Sequence, residues 1–310
     1  MRRLWLSMSL PLMTLIIILV PLSRAKQIVT EEERAWAKKT IEKEKGIESK
    51  SAPNTLAVLY FVNKTGQKSL DPIQKGISLM LISDLSKIKG IHVIERVKLQ
   101  ALMEEIDLKT SGLVDPDTGP RLGRLLKAKW VLGGWIEEKE PSVLQIQSNF
   151  LEVPTHAIVK KASYEGTLSE LFRIEKELLF DIINLLKIEL APSEEETLRR
   201  PLSTNPEAIM ALFRAVEASD LKDYKRSTAL YKEALGEDSA MDIAQESLLE
   251  IEIHDPWQKK SRNLLHTLRD RTSLTDQLEF DDSLEEGLPS EPDSVMPTNK
   301  GGYWETEVVK

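Results

Sequence analysis

The sequence predicts an α/β fold, a mixed sheet flanked by helices, followed by an all-helical region. Three observations carry this. The run Leu56-Ala57-Val58-Leu59-Tyr60-Phe61-Val62 is apolar without interruption, as in a strand buried on both faces. Ile73, Ile77, Met80, Leu81, Leu85 and Ile88 then recur at helical spacing before a second apolar run, Ile91-His92-Val93-Ile94. Three further strand-like stretches, two of them partly alternating, precede a long amphipathic helix.

Taken in order, the chain opens with Arg2 and Arg3, a nearly continuous apolar run over residues 4–22, and the small residues Ser23 and Ala25 at the positions a signal peptidase reads. Residues 1–25 are expected to be a secretory signal peptide. The competing reading is an uncleaved anchor, because the run is close to the roughly 20 residues that span a bilayer, although Pro11 and Pro21 interrupt it. Either way the bulk of the chain is expected outside the cytoplasm, with membrane association through the N-terminus if that segment stays. Cleavage after Ala25 removes three arginines and moves the formal charge from −8 to −11.

Residues 26–54 read as a charged helical linker, an exposed stalk that starts at the capping box Thr30-x-x-Glu33. Residues 55–192 read as the α/β domain. Asn63-Lys64-Thr65-Gly66 closes the first strand, Gly90 stops the helix after it, and a strand–helix–strand unit of this length sets its two strands parallel. Val97, Leu99, Leu102, Met103 and Ile106 mark the next helix, and Leu122, Leu125 and Leu126 a short one. Strands are expected over residues 130–136, 143–151 and 157–164. The longest helix runs from Leu168 to Leu186 and is ended near Ala191-Pro192.

Residues 205–271 read as all-helical. Asn205-Pro206 opens a helix with Ile209, Met210, Leu212, Phe213 and Val216, and a break at 221–224 leads to a second. Tyr224, Tyr231 and Ala234 fall on positions that a tetratricopeptide repeat favours, while Ser239 stands where the repeat usually has proline. An ordinary helical hairpin explains the same residues equally well. Residues 273–310 read as a disordered acidic tail, with eight acids and no Lys or Arg between Ser273 and Asp293.

The inventory narrows the chemistry. With 310 residues, no cysteine and a formal charge of −8, the chain lacks thiolate metal sites and cysteine nucleophiles and is a poor partner for nucleic acid. Lys109-Thr110-Ser111-Gly112 has the residues of a phosphate loop in the wrong order, with a helix before it instead of a strand, and Gly112 is expected to close that helix in a left-handed turn. Asp115, Asp117 and Thr118 lack calcium-loop spacing and suit helix capping, with Pro116 or Pro120 at a first helical position. His92, His156, His254 and His266 are scattered, without metal spacing. Gly133-Gly134 inside a strand suits a bulge or a close backbone approach. No catalytic, cofactor or metal residue can be named, so an enzyme is not expected.

Taken together, LAVLYFVNKTG, LISDLSK, IHVIERVKLQALMEEIDLKTSGLVDP and RLGRLLKAKWVLGGWI resemble the CsgG/HfaB family, best known for the curli secretion channel and related in fold to TolB N-terminal-like domains and to activators of peptidoglycan synthases. The resemblance spans residues 55–190. It rests most on Glu95-Arg96, Ser111-Gly112, Leu122-Gly123 and Gly133-Gly134. It implies a non-enzymatic envelope protein, periplasmic or outer-membrane-associated, an adaptor or assembly factor whose partners are other envelope proteins or further copies of itself. A subunit of a curli-type secretion complex is the alternative it leaves open. The chain departs from the channel in having no cysteine to acylate and only short turns where the channel has membrane hairpins. With residues such as Gln145, Gln147 and Asn149 there, pore formation by this chain alone is not expected.

Overall fold

The computed structural model describes residues 26–46 and 51–254. The signal peptide or anchor, the acidic tail and residues 255–271 of the helical region lie outside the described residues. One sheet holds five strands in the order β2-β1-β3-β4-β5, with β1 (Thr55–Asn63), β2 (His92–Val93), β3 (Trp130–Glu140), β4 (Val143–Glu152) and β5 (Ala157–Gly166). β1 pairs in parallel with β2 and β3, and β3, β4 and β5 form an antiparallel meander. The sheet is mixed, as the sequence predicts, and the parallel β1–β2 pair follows from the helix between them.

Helices cover both faces of β1, which explains its unbroken apolar run. On one side lie α2 (Asp71–Leu85) and α5 (Leu171–Leu185), whose buried Ile77, Leu81, Leu178 and Ile182 join Leu56, Val58 and Phe61 in one cluster. On the other lie α1 (Glu31–Glu42), α3 (Arg96–Glu105) and α4 (Thr118–Leu125), where Ala37, Leu102 and Leu122 join Ala57, Leu59 and Tyr60.

A bulge breaks the alternation of β1. Val58 pairs with Leu132 and Phe61 with Gly134, so β1 carries one more residue than β3 between those two rungs. Leu59 and Tyr60 therefore both enter the α3 side. Opposite the bulge, a Cβ built on Gly134 would sit 1.8 Å from the Gln147 carbonyl oxygen, so the close approach of β4 requires glycine there.

Several sequence expectations are corrected. The 26–54 segment is not an exposed stalk. Ile28, Val29 and Ala37 are buried, Trp36 and Ile41 pack on the same cluster, and Arg34 Nε donates to Glu104 on α3 at 3.2 Å. Its capping box does form, with the Glu33 carboxylate accepting the Thr30 N–H at 3.0 Å. Gly112 does not close α3. It lies in a 3-10 turn over Thr110–Val114, and the left-handed residue after α3 is Asp107 at φ 48°. Ala191-Pro192 does not end the preceding helix, which stops at Leu185. Pro192 instead opens α6 (Pro192–Arg199), where its missing N–H costs nothing, and the Glu194 carboxylate accepts the Ala191 N–H at 3.0 Å. α5 is also not longer than the others, since α2, α5 and α7 (Pro206–Asp220) each have 15 residues.

The helical region follows with α7, α8 (Tyr224–Glu237) and α9 (Asp242–His254). Asn205 Oδ1 caps α7 by accepting from Glu207 N–H at 2.9 Å, and Asp223 Oδ1 caps α8 by accepting from Arg226 N–H at 3.0 Å. Lys222 takes the left-handed conformation, φ 62°, in the break between them. The hydrophobic cluster of α2 and α5 runs without interruption into Leu212, Phe213, Val216, Tyr231, Ala234 and Ile251. Gly76 on α2 makes the notch for this packing, because a Cβ there would lie 2.3 Å from the Phe213 ring. The sheet and these helices thus share one core.

Candidate functional site: a buried arginine junction beside an open sheet face

Arg96 is the first residue of α3 and is fully buried. A buried guanidinium is tolerable only when its donors are paired and its charge is met. Here Nε donates to Gln27 Oε1 at 3.0 Å, Nη2 donates to the Gln27 carbonyl, and Nη1 reaches Tyr60 Oη at 3.1 Å and both Asp220 carboxylate oxygens at 3.0 and 2.9 Å. Burial works against the charge, but the Asp220 carboxylate outweighs it and drives the Arg96 pKa above the ordinary arginine range. Burial likewise pushes the Tyr60 hydroxyl up, so it stays protonated.

The junction extends in both directions. Lys75 on α2 donates to Asp220 Oδ2 at 2.5 Å, and Tyr60 Oη donates to Gln100 Oε1 at 3.0 Å. The Gln27 N–H donates in turn to the Glu250 carboxylate on α9 at 2.8 Å. Arg96 therefore ties together the N-terminal segment, β1, α3 and the last residue of α7. The β1 bulge is what turns Tyr60 toward it.

A second charged cluster joins α2 to α5. Lys176 Nζ sits 3.2 Å from Glu175 Oε2 and also pairs with Asp84, which takes Lys87 Nζ at 2.7 Å. Glu175 is 1% exposed, and its Oε1 has no hydrogen-bond partner among the described residues. Burial pushes its carboxyl up to about 7, against the pull of Lys176. Because the folded value lies above the unfolded one, Glu175 favours the fold most below pH 4.5, and that contribution is lost as pH rises from there through about 7. Glu175→Gln is expected to remove this loss. Chemical denaturation at pH 5 and pH 8 should show the variant gaining on the unaltered chain, on the order of 2 kcal/mol between them.

The family-motif residues divide by role. Glu95 is half-exposed and pairs with Lys98 at 3.7 Å, while its neighbour Arg96 is the junction itself. Leu122 is buried, and Gly123 lets α4 sit on β3, where a Cβ would meet Val153 at 2.5 Å and Val131 at 2.9 Å. Ser111 and Gly112 lie in the 3-10 turn, apart from Arg96. Asp115 Oδ1 accepts the Asp117 N–H at 3.0 Å, and Pro120 is the third residue of α4. Tyr231 and Ala234 are buried at the α7–α8 contact and Tyr224 is partly buried. Among the described residues no group of three or more acids and histidines could hold a metal.

Nothing local marked Asp220, Gln27 or Glu250 as partners of Arg96, because Asp220 lies 124 positions away. The second feature of the site was visible in the sequence only as the partial alternation of β4 and β5. On the α3 side, no helix among the described residues covers β4 and β5. Burial alternates along β4, leaving Gln145, Gln147 and Asn149 half-exposed, and β5 exposes Lys161, Ser163 and Glu165 on that face. At the inner margin a groove of about 110 Å³ is lined by Leu113, Pro116, Gly133, Trp135, Leu151 and Ile158. The 109–123 stretch is thus one wall of a groove. Lys64 Nζ lies 4.2 Å from the Trp135 ring centre.

A mixed sheet with helices on both sides of β1, an internal arginine junction and a half-bare meander define an α/β module fused to packed helices. Residues 40–143 match the family model described as "Curli production assembly/transport component CsgG", so that stretch of the chain is similar to that family. The match contains Arg96, Ser111, Gly112, Gly123, Gly133 and Gly134 and ends before α7 and α8. A curated relative, "Putative adenylate cyclase 3" of Rhizobium meliloti (strain 1021), is 27% identical over 167 residues, 54% of this chain. The chain spans only 27% of that protein's length. Among solved structures, the LpoB C-terminal domain from Salmonella enterica is similar over 44% of this chain and 98% of its own, at 14% identity and a TM-score of 0.32. Lipoprotein GNA1162 from Neisseria meningitidis is similar over 45% of this chain and 100% of its own, at 13% identity and a TM-score of 0.33.

Proposed function

We propose that this chain is a non-enzymatic, exported protein of the cell envelope that acts in assembly or secretion by binding other envelope proteins. The observation that carries this reading is the bare meander. Three long strands are packed on one face and present Trp135, Gln147 and Asn149 on the other, beside the groove. A large aromatic ring among amide and hydroxyl groups is the composition of a protein-binding surface. The similarity of residues 40–143 to a family of curli assembly and transport components supports the same direction. The buried charges Arg96 and Asp220 pair within the fold, so they serve structure and leave recognition to the surface. The strands β3 and β4 are joined by a two-residue turn, Pro141 and Ser142, and β4 buries alternate residues in the core, which favours an adaptor over a pore-forming hairpin.

A photo-cross-linking residue placed at Trp135 in the whole chain, expressed in cells, tests the reading. Cross-links to one or a few envelope proteins, absent when the same residue replaces Ser193 on α6, are the expected result. Equal capture from both positions, or no capture from Trp135, would overturn it.

A further inference from the structure

We propose that the outer edge of β5 pairs with the same edge of a second copy of this chain, antiparallel about a two-fold axis through Ser163. This backbone edge borders the Trp135 face, on which Lys161, Ser163 and Glu165 also lie, and the proposal does not depend on which envelope protein that face binds. The two edges of the sheet are unequal. β2 is two residues long, whereas β5 has ten, and among the described residues no strand lies outside it. A long unpaired edge is a template for another strand.

The direction of the backbone groups follows from two contacts. The Ala162 carbonyl faces β4, where it accepts from Ser148 Oγ at 3.5 Å, and the Glu165 carbonyl faces away, where it accepts from Arg173 Nη2 at 2.7 Å. Alternation then turns the N–H and C=O groups of Lys161, Ser163 and Glu165 outward. For two copies to form one sheet with matching faces, residues of like parity must stand opposite each other.

Charge selects the register. β5 is cationic in its first half, at Lys160 and Lys161, and anionic near its end, at Glu165. Lys160 is paired with Asp181 at 2.9 Å, but the Lys161 ammonium has no partner among the described residues. The register centred on Ser163 places each Lys161 across from the Glu165 of the second copy, where it joins Lys139 and Gln145 of that copy around one carboxylate. It also sets Ala162 beside Tyr164, small against large. A register shifted so that Lys161 meets Lys161 would place like charges face to face.

The chain has no cysteine, so a single introduced one reports the axis directly. Opposed Cα atoms of a hydrogen-bonded antiparallel pair lie roughly 5.5 Å apart, within disulfide reach. The whole chain carrying Ser163→Cys is expected to run as a disulfide-linked dimer after mild oxidation in cells, and Ser193→Cys as a monomer. Monomer from Ser163→Cys, or equal dimer from both, would overturn the proposal. Lys161→Glu should reduce the cross-linked fraction at least several-fold, and adding Glu165→Lys should restore it. Failure of the double replacement to restore it, with the chain still folded by melting temperature, would count equally against this register.

Discussion

Replacing Asp220 by alanine is expected to destabilise the fold by about 3–5 kcal/mol, because it leaves the Arg96 guanidinium buried with no counter-charge. The loss is large since neither side of the pair can reach water. The arginine is fully buried and the aspartate side chain is 2% exposed. Lys75 loses the same partner, but its amine can turn outward. Adding Arg96→Met to Asp220→Ala should recover part of the loss, because the penalty comes mainly from the stranded charge and much less from a missing attraction. Urea denaturation of the single and double variants measures both effects. A single-variant loss below about 1 kcal/mol would mean that water or another group reaches Arg96.

The second large effect is expected at Phe213, where truncation to alanine should cost about 3–5 kcal/mol. Its ring fills the notch left by Gly76, and both sit in the cluster that runs from the sheet into α7 and α8. The partner substitution is informative. Gly76→Val alone should destabilise, because its side chain would need the space that the ring occupies. Combined with Phe213→Ala, its cost should fall well below the sum of the two, since the valine then has the cavity to enter.

These residues show which parts of the fold were legible in the sequence. The sheet was, because burial on two faces writes itself as the continuous run of β1 and burial on one face as the alternation of β4. Helix periodicity located α2, α3, α5 and α7 for the same reason. The docking of α1 was not legible, since its contact rests on Trp36, Ala37 and Ile41 among many charges and its surface is otherwise polar. Pro192 was misread because proline serves both as a helix stop and as a first helical residue, and only the chain path decides. Gly112 was assigned a left-handed turn that Asp107 performs, a role that aspartate tolerates better than most residues.

The candidate site was legible in one member only. Glu95-Arg96 stood out as a motif, but nothing local separates a solvated arginine from one buried beside an aspartate 124 positions away. Gly133 and Gly134 pointed correctly to a close approach, and the β1 bulge that faces them left no mark in the sequence of β1. The open face of β4 and β5 was visible as alternation. Its position beyond the reach of α3 and α4 came only with the strand order.

The central claim is that the α/β module and the helices behind it form one cooperative body, closed by the Arg96 junction. Native-state amide hydrogen exchange on the whole chain tests it most directly. The prediction is that the slowest amides of β1, α2 and α7 exchange with the same free energy, through a single global opening. Exchange of α7 and α8 at a clearly lower free energy than β1, with β1 still protected, would contradict it.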